Sequence, residues 1–201
     1  SLARSCGRPE AAMTVKGLEL PAFDPRGGYG LALAYAVSTR GGCHQRAYPI
    51  SHEVLRKPVA TDRFTFSGKA RIIKLAEDTI AACDSMNACR LIFLAAGLEE
   101  YAKALTAVTG RDWSVQSLLE VGERTTVNER RMNAGNGFGA ADDDLPERFF
   151  TEPGTSGGGV DVPPIDREEF LKARHNYYAV RGLDENGAPT AKTLQRLGLD
   201  R

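Results

Sequence analysis

The segment CDSMNACRLI, residues 83–92, places a carboxylate and a thiol a few positions apart. The carboxylate of Asp84 can accept hydrogen bonds, and Cys89 as a thiolate can bind iron or another soft metal. The same segment also fits a plain turn between two helices, because Asp84 and Ser85 are good N-cap residues and Asn87 tolerates turn conformations. A single cysteine is commonly a small buried apolar residue. Taken alone, the segment therefore favours a turn with a packed thiol.

The cysteines are too few and too scattered to build a metal site by themselves. They are Cys6, Cys43, Cys83 and Cys89. Their irregular spacing is not typical of the disulfide framework of a small secreted protein, so we expect reduced thiols. No two of them have the C-x-x-C spacing of a zinc or redox site. A metal cluster bound here would therefore need ligands from elsewhere.

Other polar residues have structural interpretations that compete with chemical ones. His44 follows two glycines in RGGCHQRAY, and on the sequence alone a lone histidine is more often structural. The acidic run ADDD, residues 141–144, suggests a cation site, but we favour a helix N-terminus before LPERFF. Arg46 is expected to form an ion pair rather than to meet a phosphate. Packed or structural roles are also expected for Cys43, Cys83, His52 and His175.

Composition excludes several classes of partner. At 201 residues, the chain can bury a real hydrophobic core in one domain or two small ones. Its 26 basic and 26 acidic side chains cancel, so no global field draws it to nucleic acid or to an anionic membrane. No apolar run approaches the roughly 20 residues of a spanning helix, and the start SLARSCGRPE lacks the apolar core of a secretory signal. We therefore expect a cytoplasmic protein.

Helices are expected to position the candidate residues. A short strand is predicted over Val15–Leu20, followed by a loop through residue 28. An apolar and therefore buried helix is predicted over Tyr29–Arg40, and the glycine pair at 41 and 42 should end it. Ser67 is expected to cap the next helix, which runs to Cys83 and brings the chain to the Asp84 segment.

Helical patterns continue after this segment. The sequence predicts an apolar helix from residue 90, broken near Gly97 and closed by Gly110, and an amphipathic helix that Ser114 opens and that ends near Ala134. A long extended loop should follow, anchored by Phe138, Leu145, Phe149 and Phe150. Asp166 with Glu169 forms a capping box for another helix, and Thr190 caps a final helix that ends near Gly198.

The predicted fold is mainly α, an irregular helical bundle with little strand. It divides into residues 1–28, the strand and the loop that leads into the helices, and residues 29–201, the helical region. We expect the helix from Tyr29 and the helices flanking Asp84 to form the interior, because these segments have the densest apolar runs.

Four blocks of the sequence resemble the carboxy-terminal helical part of the tungsten-containing aldehyde:ferredoxin oxidoreductases. The resemblance extends from about residue 13 to the end. The first and third blocks are long enough to be specific. The blocks are VKGLELPAFDPRGGYGLALAYAVSTRGGCHQRAY, DSMNAC, GERTTVNERRMNAGNGFGAADDDLPERFFTEP and YYAVRGLDENGAPTAKTLQRLGL.

This resemblance implies a cofactor and a missing partner. Members of the family hold tungsten between two pterin dithiolenes beside a [4Fe-4S] cluster, with an amino-terminal β-rich domain on one side and helical domains on the other. The cofactor implied is a tungsten or molybdenum bis-pterin. This chain has no C-x-x-C-x-x-x-C block for three of the cluster ligands. We therefore expect it to be a carboxy-terminal fragment or one subunit of a split enzyme, and to work with the remaining portion of that enzyme.

The resemblance changes the interpretation of the opening segment. The family's second pterin loop has the pattern Asp-x-x-Gly-Leu-Cys, which DSMNAC matches at Asp84 and Cys89 and departs from at Asn87 and Ala88. By that match Asp84 accepts hydrogen bonds from the pterin, Asn87 and Ala88 form the cofactor-binding backbone between them, and Cys89 ligates iron of the cluster. Asparagine adopts the left-handed conformation that glycine prefers, but less readily.

His44 also gains a role by resemblance. The corresponding histidine of the family lies near the metal beside the substrate. An imidazole there can donate a hydrogen bond to the substrate carbonyl or move a proton during aldehyde hydration and oxidation. The implied function is oxidation of an aldehyde to a carboxylic acid, with electrons passing through the cluster to ferredoxin. Alternatives are an aromatic thioester reductase subunit of the same family and a non-catalytic helical scaffold that has lost its cofactor; a homodimer is compatible with each of these functions.

Overall fold

Residues 2–89 and 96–200 are described by the computed structural model, and they fold mainly into α-helices. The predicted mainly α class is confirmed. No helix in this part of the chain is both long and apolar enough to cross a bilayer. The helices are α1 (Leu2–Ser5), α2 (Tyr29–Val37), α3 (Ile50–Glu53), α4 (Lys69–Ser85), α5 (Leu98–Thr109), α6 (Val115–Gly135), α7 (Arg148–Thr151), α8 (Arg167–Arg181) and α9 (Ala191–Leu197).

The predicted strand over Val15–Leu20 is wrong in form, because the chain turns back within it. Strand β1 (Thr14–Val15) pairs antiparallel with β2 (Leu18–Glu19). Lys16 and Gly17 connect the strands with φ values of 49° and 77°. Positive φ at both turn residues matches the twist of a tight hairpin, so this dipeptide forms a hairpin instead of one continuous strand.

Helix α2 lies at the centre of the molecule, and every one of its residues is buried. It ends at Val37, three residues earlier than predicted, because Ser38 turns to ψ 133°. Gly41 does not end the helix. It packs against the hairpin, where a Cβ atom would lie 2.4 Å from the carbonyl oxygen of Val15, and its φ is 94°.

Charged side chains from other elements close both ends of α2. At the N-terminus, Glu53 accepts hydrogen bonds from the N–H groups of Gly30 at 2.7 Å and Leu31 at 3.3 Å. At the C-terminus, Lys16 Nζ donates to the Ala36 carbonyl at 2.6 Å, and Arg130 donates to the Val37 carbonyl. Negative charge at the start and positive charge at the end both stabilise the helix dipole. The direction of the chain after residue 37 is thereby fixed.

Helices α4 and α6 pack closely along each other. Gly122 of α6 permits this contact, since a Cβ atom there would lie 1.8 Å from the carbonyl oxygen of Asp78 on α4. The N-cap of α4 is Gly68 rather than the predicted Ser67. The N-cap of α6 is Ser114, as predicted, and its hydroxyl accepts the N–H of Ser117.

The remaining helix limits follow the sequence signals. Helix α5 begins after Gly97 and ends at Gly110, whereas residues 90–95 of the predicted apolar helix lie outside the described residues. Asp166 caps α8 by accepting the N–H of Glu169 at 2.8 Å. Helix α9 begins after its cap Thr190 and ends at Gly198.

The predicted long loop before α8 is interrupted by α7, which contains Phe149 and Phe150, and three of the four predicted anchors pack. Leu145 and Phe149 are buried and Phe150 is partly buried, whereas Phe138 is 40% exposed. The prediction for Phe138 is therefore wrong.

The acidic run at 141–144 forms neither a helix N-terminus nor a cation site in this structure. Asp143 is fully buried, and its carboxylate pairs with Lys16 at 2.6 Å and Arg130 at 2.5 Å. Tyr178 donates a further hydrogen bond to it at 2.7 Å. The favoured helix-terminus interpretation is wrong, because the next helix, α7, begins only at Arg148 and its N-cap is Glu147.

Replacing Asp143 by asparagine is expected to lower the free energy of unfolding by about 3 to 5 kcal/mol at neutral pH, because it leaves two buried cations uncompensated. Burial alone would raise the pKa of Asp143, but the charges of Arg130 and Lys16 outweigh it and lower the pKa. A lowered pKa in the folded state stabilises the fold above the unfolded value of 3.8, and this stabilisation is lost as the pH falls through the folded value. Urea unfolding should show that the difference in the free energy of unfolding between the wild type and Asp143→Asn is smaller at acidic than at neutral pH.

Asp144, the residue after Asp143, provides a matched control. Asp144 pairs with Arg167 through two hydrogen bonds of 2.7 and 2.6 Å, but both side chains are partly exposed. Asp144→Asn should therefore cost no more than about 1 kcal/mol. Equal costs for the two substitutions would contradict the buried compensation assigned to Asp143.

Candidate functional site

Helix α4 ends in a hydrogen-bonded cap that holds the candidate loop. Asp84 lies in the last turn of the helix rather than in the predicted loop. The N–H of Ala88 donates to the Cys83 carbonyl, and the N–H of Asn87 donates to the Asp84 carbonyl, both at 3.1 Å. Asn87 has φ 53°. These two bonds around a left-handed residue form a Schellman motif.

The cap gives a physical reason for the glycine in the Asp-x-x-Gly-Leu-Cys pattern. The glycine position coincides with the left-handed residue of the cap, which is most often glycine and sometimes asparagine. Asn87 therefore departs from the pattern in residue type and keeps the conformation that glycine favours. The departure leaves the loop backbone compatible with the pattern.

Substituting Asn87 by alanine is expected to destabilise the chain by about 1 kcal/mol, because a Cβ-bearing residue without a short polar side chain is strained in the left-handed region. Asn87→Gly is the matched control, since it removes the strain and should be neutral or slightly stabilising. Urea unfolding of the two variants measures the difference. Equal stability of the alanine and glycine variants would contradict the left-handed cap.

The two thiols near this cap have opposite environments. Cys83 is completely buried, as predicted, and its Sγ donates to the Ala88 carbonyl at 3.5 Å. Cys89 is exposed at the end of the loop. Cys83 is thus a packing residue, whereas the exposed thiol of Cys89 is accessible to a ligand.

Arg46 links this loop to a second segment of the chain. Its Nη1 lies 3.7 Å from Asp84 Oδ2, and its Nη2 donates a hydrogen bond of 3.2 Å to Glu129 Oε1 on α6. The ion-pair role predicted for Arg46 is confirmed. Sequence reasoning missed Glu129, because nothing in the local pattern of α6 indicates a partner 83 positions away.

His44 lies two residues before Arg46, so the same segment brings it to this region. Its ring lies between aromatic neighbours, with centroids 5.3 Å from Phe23 and 6.3 Å from Tyr48. Gln45 Nε2 lies 3.3 Å from His44 Nε2. The imidazole is partly buried, whereas Cys43 beside it is buried and packed, as predicted.

A cavity of about 400 Å³ lies on the other side of Phe23, and His44 itself does not line it. Phe23, which contacts His44, forms part of its wall. A cavity of this size can take a small organic molecule. The other lining side chains include the apolar Leu31, Ile50, Val54 and Val162 and the charged Asp24, Glu53 and Arg63.

His52 fits the structural role predicted for it, since its Nδ1 on α3 lies 3.0 Å from the Val59 carbonyl in the following loop. His175 is exposed on α8, and its structural role stays a prediction.

The side chains of Asp84 and Cys89 are chemically suited to bind a pterin and one iron of a cluster, respectively. The Asp84 side chain, in the last turn of α4, is 35% exposed and so presents an accessible acceptor, and Cys89 presents an accessible thiol in the loop that follows. Asp84 would hold the pterin N–H groups, and Cys89 would bind iron. Within residues 2–89 and 96–200, no group of three or more His, Cys, Asp or Glu is arranged to hold a metal ion. The remaining cluster ligands would come from elsewhere.

Comparison with known families gives a match over nearly the whole chain. The family described as aldehyde ferredoxin oxidoreductase, domains 2 & 3, matches residues 1–199. A tungsten-containing aldehyde ferredoxin oxidoreductase of Pyrococcus furiosus is 39% identical over 200 residues, which cover 98% of this chain and 32% of the relative. The enzyme of the same name from Thermococcus kodakarensis is 37% identical over 198 residues, which cover 96% of this chain and 32% of that relative. The chain therefore spans about a third of the length of these relatives.

A solved structure shares the fold. The active site complex BamBC of benzoyl coenzyme A reductase in complex with 1,5-dienoyl-CoA matches with a TM-score of 0.55 and 19% identity. The match covers 72% of this chain and 21% of that chain. At this identity the likeness shows the fold alone.

Proposed function

The chain belongs to the aldehyde ferredoxin oxidoreductase family, and on that premise we propose that it is the helical part of a tungsten-pterin enzyme that oxidises aldehydes to carboxylic acids. A [4Fe-4S] cluster, for which Cys89 would be one ligand, would carry the electrons to ferredoxin. The observation that best supports this function is the capped C-terminus of α4, where an accessible acceptor, Asp84 in the last helical turn, is followed five residues later by an exposed thiol, Cys89. One helix end could thereby contribute to binding both the pterin and the neighbouring cluster.

Each residue of this chain has a defined task in the proposed enzyme. Asp84 accepts hydrogen bonds from the pterin, and the backbone at Asn87 and Ala88 fixes the distance from Asp84 to Cys89. Cys89 would give a [4Fe-4S] cluster one thiolate, and the other three would come from the remaining portion of the enzyme. The bound cofactor supplies the two-electron redox chemistry, while the protein orients and encloses the reactants.

His44 is the proposed acid-base group. Oxidation of an aldehyde to its acid adds one oxygen atom from water and releases two electrons together with protons, so a group that moves protons is needed beside the carbonyl. The imidazole can donate to the carbonyl oxygen and accept a proton from the water or hydrate hydroxyl that adds to the carbon. Its contacts with Phe23 and Tyr48 hold the ring in one region. The cavity bordered by Phe23 would take the organic part of the substrate.

The proposal is tested on the complete enzyme. Purified anaerobically, it should contain tungsten or molybdenum, pterin and iron, and it should reduce ferredoxin when an aldehyde is added. The 201-residue chain purified alone is the control, and it should contain neither pterin nor a stable cluster, because Cys89 is its one proposed cluster ligand and a single thiolate cannot hold four irons. A loaded enzyme that reduces an aromatic thioester and leaves aldehydes unchanged would contradict the proposed substrate, and a complete enzyme without metal or pterin would indicate a scaffold.

A further inference from the structure

Glu129 lies outside the residues that the proposed function uses, yet it shares one guanidinium with Asp84. We propose that Glu129 is a positioning residue that restrains Arg46 and so preserves the ability of Asp84 to bind the pterin. This inference rests on the proposed function, because it assigns the pterin to Asp84. The role is indirect, since Glu129 acts through Arg46.

The distances show which carboxylate holds Arg46. Glu129 accepts a hydrogen bond from Arg46 at 3.2 Å, whereas Asp84 lies at 3.7 Å, beyond direct hydrogen-bond range. The three side chains are partly buried, with Arg46 20%, Glu129 32% and Asp84 35% exposed. Arg46 is therefore bonded to α6 and only electrostatically paired with α4.

Glu129 is itself fixed in place. Its other carboxylate oxygen accepts a hydrogen bond from Thr39 Oγ1 at 2.5 Å. One turn further along α6, Asn133 Nδ2 donates to the Thr39 carbonyl at 2.8 Å. Two contacts thus attach the segment after α2 to α6, and Glu129 cannot follow Arg46 toward Asp84 without losing its hydrogen bond from Thr39.

Arg46 has hydrogen-bonding capacity left for a closer pair. Its Nε is buried and has no hydrogen-bond acceptor among residues 2–89 and 96–200. A guanidinium binds a carboxylate most strongly through two parallel N–H donors. If Glu129 no longer held it, Arg46 could form a stronger ion pair by directing two N–H groups toward the Asp84 carboxylate. Its guanidinium would then compete with the pterin N–H groups for that carboxylate. Glu129 opposes that competition.

The test replaces Glu129 by glutamine in the complete enzyme. The amide keeps the size of the side chain and removes the charge that holds Arg46, so we expect pterin and tungsten per polypeptide to fall about tenfold after gel filtration, the scale seen when an outer partner of a ligand is removed. Iron content should stay near that of the wild type, because Cys89 is not involved. Glu120→Gln is the matched control on the exposed face of α6 and should leave pterin content unchanged.

A second variant separates positioning from general support of the fold. In an Arg46→Met background, Glu129→Gln should cause no further loss of pterin, because the group it restrains is absent. The proposal is overturned by unchanged pterin content in Glu129→Gln, by an equal loss in the Arg46→Met background, or by a parallel loss of iron. A wild-type enzyme that holds pterin but does not oxidise aldehydes would contradict the proposed function and leave this inference standing; one without pterin would overturn both.

Discussion

Cys89→Ala in the complete enzyme is expected to remove the iron-sulfur cluster while the fold of this chain persists. Alanine has no ligand atom, and a [4Fe-4S] cluster without its fourth thiolate is no longer held at one corner and breaks down, so iron should fall from about four per polypeptide toward zero. The loop itself should survive, because Cys89 is exposed and the cap of α4 is made by backbone groups of Asn87 and Ala88. Iron analysis and the electron paramagnetic resonance signal of the reduced enzyme measure the loss.

Cys83→Ala is the matched control for this experiment, because the same substitution is made six residues earlier at a thiol that is fully buried. It should lower stability by about 1 kcal/mol through lost packing and leave the iron content intact.

Asp84→Asn should have a different effect and weaken pterin retention more than iron binding, since the amide lacks the charge and part of the acceptor capacity of the carboxylate. A normal cluster with full ferredoxin-coupled activity in Cys89→Ala would reduce Cys89 to a surface thiol.

Local signals explain which parts of the fold could be predicted. Ser114, Asp166 and Thr190 cap their helices with side-chain oxygens that reach only three residues ahead, so a short stretch of sequence contains the whole interaction. The left-handed tendency of Asn87 is equally local. The sequence predicts helix ends less accurately where they depend on tertiary contacts. Helix α2 stops at Val37 where cations from other elements meet its last carbonyls.

The acidic run and the candidate site illustrate the limit of local reasoning. Asp143 resembles a solvated helix-start residue in sequence, and only the fold brings Lys16 and Arg130 to it. The same holds for Glu129, whose pairing with Arg46 joins residues 83 positions apart. Asp84 and Cys89 were proposed from a family pattern, and spacing alone favoured a plain turn. Ion pairs between distant segments have no periodic signature, which is why these parts of the site needed the structure.

His44→Ala in the complete enzyme is expected to lower the turnover of aldehyde about 10²-fold or more, the scale of a lost general acid-base group. The cofactor should remain bound, because the proposed pterin and cluster contacts belong to Asp84 and Cys89 on another element. The ring contacts Phe23 and Tyr48, so some local repacking is expected, but Cys43 beside it is buried independently and should keep the segment in place. The measurement is kcat at saturating aldehyde together with tungsten, pterin and iron per polypeptide.

His175→Ala provides the comparison, because this histidine is exposed on α8 and has no assigned role. Its turnover and its cofactor content should both match the wild type. For His44→Ala, a fall in turnover with full cofactor content indicates a chemical role at the carbonyl, since loss of packing would lower stability or loading first. Unchanged turnover in a fully loaded His44→Ala enzyme would make His44 a structural residue that fills the space between Phe23 and Tyr48, and the proton transfer would then have to come from the remaining portion of the enzyme.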